Sequence, residues 1–247
     1  MRTRTVLIAG IAVLAVLGAG ALWFIGRESV DEVDLDRAVA DLAGQGAEGE
    51  AEGGSESGGG DAAVTDPSGT WTVDPDIVAF DTATGAGTWV GYRIDEELSG
   101  VGAFTAVGRS PRVEGTILVE DTRVVEADIQ ADLTGLVSDN GNRDARVSPL
   151  FADRPVTFTL SGPVDFGGVP DEGQRVAVAA PGVLRIGDIE QDVTVELSAD
   201  VVGPRLVVTG STLVTLADFD VRVPSAPIVL SVSDVATIEL QLYLSRD

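Results

Sequence analysis

From residue 70 onward, apolar and polar residues alternate with a period of two. The clearest case is 125–133, where the odd positions are apolar and the even positions are Glu, Asp, Gln and Asp. Alternate side chains of a β-strand point to opposite faces, whereas a helix needs an apolar period near 3.6. The pattern therefore predicts antiparallel strands with one face on a core and the other in solvent.

Seven further segments have the composition of strands, and turn residues separate them. They are 88–94, 113–120, 156–160, 175–186, 192–200, 206–216 and 238–244. One helical stretch, 140–151, lies between two of them. These eight strands predict a single all-β domain, a barrel or a sandwich, and closure into a barrel would leave no exposed edges.

The sequence contains no cysteine, histidine or lysine, so all 16 basic side chains are arginines. These absences exclude disulfides, thiolate or imidazole metal ligands, a Ser-His-Asp triad and Schiff-base chemistry. The 40 acidic residues give a net charge of −24, which argues against nucleic acid as a partner, because binding phosphate needs positive charge. We therefore predict no metal site and no catalytic cofactor.

Residues 6–25 carry no charge, and a helix of that length is about 30 Å long, which matches the hydrocarbon core of a bilayer. Arginines at positions 2 and 4 precede the stretch, and acidic residues follow Arg27. The positive-inside rule then places the N-terminus in the cytoplasm and the rest outside. We expect 1–27 to be a single-pass transmembrane anchor. The alternative is a signal peptide cleaved after the small residues 19–21, which would make the protein secreted.

Residues 28–67 form an acidic linker rich in Gly, Glu and Ser, a composition typical of disorder. A short amphipathic helix over 30–42 is the exception, with Val33, Leu35, Val39 and Leu42 as a weak apolar set. A flexible chain of about forty residues spans roughly 35 Å. The linker would therefore hold the domain 68–247 clear of a membrane.

The inner face of the predicted barrel carries several small residues, among them Gly115, Ala127 and Ala131. Small residues leave space inside a barrel, unless larger side chains from the opposite strands fill it. Eight-stranded barrels occur both filled and ligand-holding. The sequence leaves both states open.

Several short motifs follow one another along this domain. They are 71–74 (WTVD), 90–94 (VGYRI) with 106–109 (AVGR), 113–117 (VEGTI), 142–144 (NRD), 155–158 (PVTF), 182–187 (GVLRIG) and 218–221 (DFDV). In this order and spacing they resemble the YceI-like family, described as polyisoprenoid-binding, lipocalin-like proteins. The resemblance covers about 70–247 and implies an eight-stranded antiparallel barrel, closed near one end by a short helix, with a long isoprenoid chain in its lumen.

The resemblance also suggests which side chains line the lumen, although each is equally explained as ordinary core. The candidates are Tyr92, Phe104, Ile117, Ile129, Phe158, Leu184, Val195 and Leu240. Arg146 stands where the family commonly has a histidine, so it is the candidate donor to a polar or anionic headgroup. We expect Arg143 and Asp144 to form an ion pair that fixes the short helix.

The predicted function is extracytoplasmic binding of a polyisoprenoid, a quinone or a similar apolar lipid, as carrier, store or sensor and not as an enzyme. One alternative is a filled barrel that serves as a structural or interaction module of the cell envelope. Another is a hydrolase or isomerase built on Asp218 and Asp220, which would share one strand face. The sequence also leaves a homodimer open.

Overall fold

The computed structural model describes residues 30–49, 66–168, 174–224 and 226–246. In these ranges the chain forms two α-helices, α1 (Leu35–Gly49) and α2 (Gly141–Val147), with 3-10 turns at Leu133–Gly135, Ser148–Phe151 and Leu216–Phe219. The strands are β1 (Gly69–Val73), β2 (Trp89–Leu98), β3 (Gly102–Ser110), β4 (Val113–Glu120), β5 (Arg123–Ala131), β6 (Val137–Ser138), β7 (Val156–Leu160), β8 (Val164–Asp165), β9 (Val176–Ile186), β10 (Ile189–Val202), β11 (Arg205–Thr215), β12 (Val229–Val232) and β13 (Val235–Arg246).

Eight of these strands form a closed antiparallel ring in the order β1, β4, β5, β7, β9, β10, β11, β13. The ring closes because Trp71 of β1 lies opposite both Ile117 of β4 and Arg246 of β13. β2 pairs along one edge with the N-terminal part of β13, through Trp89–Arg93, and then with β12, through Glu96–Leu98. Its other edge pairs with β3. The same edge of β13 therefore pairs with β1 near its C-terminal end and with β2 near its N-terminal end.

The structure confirms the predicted all-β class and the eight-stranded antiparallel barrel. Each predicted strand has a counterpart, and β4 and β7 have the predicted bounds. The predicted helix is α2 followed by the 3-10 turn Ser148–Phe151. The alternation did not predict β1 as a strand, yet β1 is the eighth strand of the ring. The predicted strand 88–94, which is β2, pairs with the ring from outside.

The two ends of the barrel differ. One end, called the mouth below, carries α2, the 3-10 turn Leu216–Phe219 and the loop 221–228 as far as the structure describes it. The other end, called the base, carries tight turns at Asp121 and Gly203, both with positive φ. Asp and Gly tolerate that backbone conformation, which two-residue hairpin turns require.

Helix α1 packs on the outside of the barrel. Asp34 accepts a hydrogen bond from the backbone N–H three residues later (2.9 Å), as an N-cap residue does. Leu35 and Ala38 are buried against the outward-facing Val207 and Tyr243. The Tyr243 hydroxyl donates to the Ala38 carbonyl (2.9 Å), so the helix is tied to the wall by a buried hydrogen bond as well as by apolar contact.

The chain just before α1 is held on the same wall by two arginines. Arg93 Nη2 donates to the Val30 carbonyl (2.8 Å), and Arg109 Nη2 donates to the Asp31 carbonyl (2.9 Å). Arg109 is buried and stacks on the Trp89 ring, 4.1 Å from its centroid. Burial lowers the pKa of Arg109 to about 10, so the side chain remains a cationic donor at neutral pH.

Part of the predicted linker is therefore not a free spacer. The expected helix 30–42 begins at Leu35 and continues to Gly49, and the segment 30–42 lies against the barrel wall. The rest of the predicted linker, 50–65, and the predicted anchor, 1–27, lie outside the described residues. Within the described ranges, no helix combines the length and the hydropathy needed to cross a bilayer.

Candidate functional site

The mouth half of the barrel encloses a cavity of about 530 Å³. Its walls are inward-facing apolar side chains of six strands, such as Ile94, Leu184, Val214 and Ile238. Val147 of α2 lines the cavity as well. The sequence left both a filled and a hollow barrel open, and the barrel is hollow at this end.

The cavity opens between α2 and the loop that follows the turn Leu216–Phe219. Five of its lining residues are exposed, and they mark the entrance. On the helix side these are Asn142 and Arg146, and on the loop side they are Val223, Pro227 and Ile228. The entrance thus has a polar, cationic side and an apolar side.

Two groups of β2 place polar atoms just inside the entrance. The ring of Tyr92 packs across Gly108, where a Cβ would lie 2.6 Å from ring atom Cε1, so glycine makes room for the ring. Burial raises the pKa of Tyr92 to about 12, which keeps the phenol neutral. Glu96 lines the same wall half-buried; burial raises the pKa of its carboxyl, and the charge of Arg143 opposes this.

Local hydrogen bonds hold α2 over the cavity. Asn140 caps the helix by accepting from the Asn142 N–H (3.0 Å). The Ser138 hydroxyl donates to Asp144 Oδ1 (2.5 Å), which ties the first turn of the helix to β6. A seven-residue helix has little stability alone, so these contacts fix its position.

Arg143 has a different partner from the one predicted. Its Nη1 donates to Asp139 Oδ1 (2.6 Å), whereas Asp144 bonds to Ser138. The guanidinium also lies over the Phe104 ring, 5.5 Å from its centroid. The expected Arg143–Asp144 pair was wrong: adjacent helical residues point in different directions, and Arg143 pairs instead with Asp139, just before the N-cap Asn140.

A second, smaller cavity of about 110 Å³ lies at the base. Its lining is almost entirely apolar and includes Trp71, Phe166 and Leu206. Trp71 is fully buried, and its indole N–H donates to the Pro67 carbonyl (2.9 Å). This bond satisfies the one polar atom that the ring brings into the core.

The two cavities share no lining residue. Phe158 lines the small cavity, while Leu184, which lies opposite it on the next strand, lines the large one. The Phe158 ring fills the space over Gly182, where any Cβ would overlap it. On the other side Phe158 pairs with the buried Ile129. The lumen is therefore hollow at both ends and packed in the middle.

The predicted lumen residues divide among these three regions. Tyr92, Leu184 and the headgroup candidate Arg146 line the large cavity, whereas Ile117 and Phe158 line the small one. Phe104, Ile129, Val195 and Leu240 line neither; Ile129 and Val195 are buried, and Phe104 and Leu240 pack against the core. As ligand contacts, all of these stay predictions.

The sequence analysis missed other residues of the large cavity, including Ile94, Glu96, Val214 and Ile238. For two of them, the sequence contained an indication that they share a strand face with Tyr92. Ile94 and Glu96 lie two and four positions after Tyr92, so they share its strand face. An acidic residue on an otherwise apolar face is the pattern that could have indicated the cavity entrance.

The carboxylate pair considered for catalysis is not arranged as predicted. Asp218 lies in the 3-10 turn Leu216–Phe219 and Asp220 follows it with a φ of +49°, so the two do not share a strand face. Both are exposed, and neither lines the large or the small cavity. The hypothesis of paired carboxylates in a pocket was wrong.

The family model of the YceI-like domain matches residues 86–244. The chain belongs to the YceI-like family. The resemblance inferred from the motifs is thereby confirmed, although the motif 71–74 lies before the matched residues. A comparison with curated protein sequences finds no match.

Two solved structures resemble this YceI-like chain. A polyisoprenoid binding domain from Saccharophagus degradans, implicated in plant cell wall breakdown, has a TM-score of 0.54 at 16% identity and covers 72% of this chain and 98% of its own. BcnA from Burkholderia cenocepacia has a TM-score of 0.48 at 16% identity, with 66% and 98% covered. At this identity the first likeness shows a shared fold.

Proposed function

We propose that the YceI-like barrel binds one polyisoprenoid or similar long apolar lipid in the cavity at its mouth. The observation that carries the proposal is a largely apolar cavity of about 530 Å³ that opens between α2 and the loop after Leu216–Phe219. Cavities of this size and composition are typical of small-molecule sites. The fold shared with a protein named as a polyisoprenoid binding domain supports the same ligand class.

The volume sets the length of chain that fits. An apolar cavity of about 150 Å³ holds one benzene ring, so 530 Å³ holds roughly twenty carbon atoms, or about four isoprene units. At about 0.3 kcal/mol per atom the apolar contacts contribute roughly −6 kcal/mol. That corresponds to a dissociation constant of some tens of micromolar, before any contribution from a polar end group.

The ligand enters tail first in this proposal. Its tail lies against Leu184 and ends at the layer that contains Phe158, where the lumen is filled. Its polar end stays at the entrance, where Tyr92 donates, Glu96 accepts and the exposed Arg146 supplies positive charge. Hydrogen bonds at this end orient the ligand, while burial of the tail supplies most of the affinity.

We also propose that the barrel works outside the cytoplasm, attached to the membrane through 1–27, as a carrier, store or sensor of the lipid. The uncharged stretch 6–25 and the arginines before it support this placement. A tethered domain with a lipid-sized cavity can take up and return a ligand that is almost insoluble in water.

Photo-crosslinking tests the proposal. The full-length protein in nanodiscs is illuminated with a four-unit prenyl alcohol that carries a diazirine at its tail, and mass spectrometry locates the adducts. We expect adducts on Leu184, Val214 or Ile238, with competition by the unlabelled alcohol. Tyr92→Arg should lower their yield at least tenfold, because it places a longer, charged side chain where the apolar tail must pass.

Ala103→Arg is the matched control, because Ala103 is exposed; its adduct yield should equal that of the wild type. Adducts confined to 6–25, or equal yields in Tyr92→Arg and the wild type, would show that the cavity is not the site. A barrel acting only as an envelope module would then be the better account.

A further inference from the structure

The apolar side of the entrance is exposed to solvent. Val223 and Ile228 line the entrance and are 37% and 43% exposed, and Leu230, two residues further along in β12 and outside the cavity lining, is 65% exposed. These three residues are called the rim below. No charged residue occurs between Arg222 and Asp234. In a chain with a net charge of −24, an uncharged stretch with exposed large apolar side chains marks a surface suited to an apolar partner.

The rim is fixed to the end of β2. The Ser99 N–H donates to the Ile228 carbonyl (2.8 Å), and Val229 lies opposite Leu98 in the β12–β2 pair. These contacts hold the Ile228–Leu230 part of the rim at the end of the barrel wall.

The chain that leads to the predicted anchor leaves the barrel near the same end. Val30, fixed by Arg93, shares a groove on the outer wall with Asp95 and Val235. The inner side of that wall, at Ile94 and Ala236, lines the large cavity.

The distance from this groove to the rim is short. Asp95 precedes Leu98 by three residues, or about 10 Å along the strand. From Val30 the chain runs away from the mouth, because Val33 N donates to Glu239 (3.2 Å) and Ala38 meets Tyr243, further along β13. Val30 is therefore the point of the docked segment that lies toward the mouth.

Little chain remains between this point and the apolar stretch. Ile25 precedes Val30 by five residues, which reach at most about 18 Å when fully extended. If 6–25 is inserted in a bilayer, the docked segment keeps the mouth end of the barrel within roughly that distance of the lipid. The barrel and the bilayer are therefore not separated by the forty-residue linker that the composition predicted.

We propose that the barrel is held mouth-first against the bilayer, with the rim in contact with the lipid surface. An isoprenoid then passes between membrane and cavity along the apolar side of the entrance without crossing water. This inference rests on the proposed function and on the anchor 1–27. The partner is a weakly charged lipid surface, because the acidic barrel repels anionic headgroups.

Site-specific fluorescence tests this orientation, and the absence of native cysteine permits single labels. Full-length Leu230→Cys carries an environment-sensitive NBD label in phosphatidylcholine vesicles that contain spin-labelled lipid. We expect at least twofold quenching and a blue shift. Glu120→Cys, exposed at the base, is the matched control and should show neither change.

A second variant tests the role of the short connection. Ten Gly-Ser residues inserted between Arg27 and Glu28 should reduce quenching at position 230 to the level of the control. Equal quenching at both labels, persistent quenching after the insertion, or a blue shift without quenching would each overturn the proposal. The last result would indicate a protein partner on the rim.

The outcome is separable from that of the ligand proposal. Quenching at position 230 without cavity adducts would leave the orientation standing and remove the ligand. Cavity adducts without quenching at position 230 would support the ligand and refute the orientation.

Discussion

The packed layer in the middle of the lumen should set an upper limit on the length of the bound chain. Each isoprene unit adds five carbon atoms and about 1.5 kcal/mol of binding free energy, a factor of roughly ten in affinity. We expect the affinity of the wild type for a series of prenyl alcohols to rise up to about four units and then to stay constant, because the layer that contains Phe158 separates the large cavity from the small apolar cavity at the base.

Removing the Phe158 ring should raise this limit. Phe158→Ala takes away six carbon atoms and joins the large cavity to the small one of about 110 Å³, which has room for about four more atoms on the benzene scale. About ten additional atoms then fit, or two isoprene units. The affinity for a six-unit alcohol should increase by up to about a hundredfold, while the affinity for a four-unit alcohol changes little.

The substitution has a cost in stability. Truncating a fully buried phenylalanine costs about 3–5 kcal/mol, against a typical total of 5–15 kcal/mol for a domain. Phe158 is half-buried and lines a cavity, so we expect a loss below that range. Thermal or urea unfolding of the empty protein should show this loss. A six-unit ligand should restore part of the stability, because it refills the space and binds the folded state alone.

Native mass spectrometry on residues 30–247, which leave out the stretch 6–25, measures the whole series in water. Phe166→Ala is the matched control: Phe166 also lines the small cavity, but it lies beside the base turn, where its N–H donates to the Thr122 carbonyl (2.9 Å). The control should keep the four-unit limit. An affinity that rises steadily through eight units in the wild type would refute the packed layer as a stop.

Two further predictions concern the entrance and the docked helix. Burial raises the pKa of Glu96 above 4.5, so the folded state holds this proton more tightly than the unfolded chain, and the free energy of unfolding that Glu96 contributes falls as the pH rises through the range just above 4.5. Glu96→Gln should make the measured fall shallower in urea titrations between about pH 4 and pH 7, leaving the contribution of Asp41 and Asp200, whose pKa values burial also raises. The exposed Glu97→Gln should leave the fall unchanged. Ala38→Glu places a charge at a fully buried position, so it should abolish hydrogen-exchange protection in α1 and leave the protection of the barrel strands unchanged. Ala40→Glu, at an exposed position, should preserve protection in both. Loss of barrel protection in Ala38→Glu would show that α1 is part of the cooperative core.

The alternation of side chains predicted the strands well because the two faces of a strand are a local property of the sequence. The depth of a side chain along the barrel axis is not a local property of the sequence. Leu184 and Val195 are both buried apolar residues on neighbouring strands, yet the first lines the large cavity and the second does not. Which level a residue occupies depends on the register between strands, and the pattern of one strand does not contain it.

The docking of α1 could have been suspected from β13. Leu242, Tyr243 and Leu244 are consecutive apolar residues, so both faces of the strand are apolar there and something must cover the outer one. The helix itself gave only a weak signal, since its buried contacts are mainly Leu35 and Ala38. Its acidic composition indicated solvent, and the hydrogen bond between Tyr243 and the Ala38 carbonyl is a contact over long sequence separation that composition does not reveal.

The pairing of β1 with β13 has a consequence for biosynthesis. The hairpins from β4 to β11 can assemble as they are made, but Trp71 gains its second neighbouring strand only when Arg246 has been added. Until then the nascent sheet has two free edges that can recruit other chains. The protein should therefore be most prone to aggregate, and most dependent on chaperones, just before its last strand is in place.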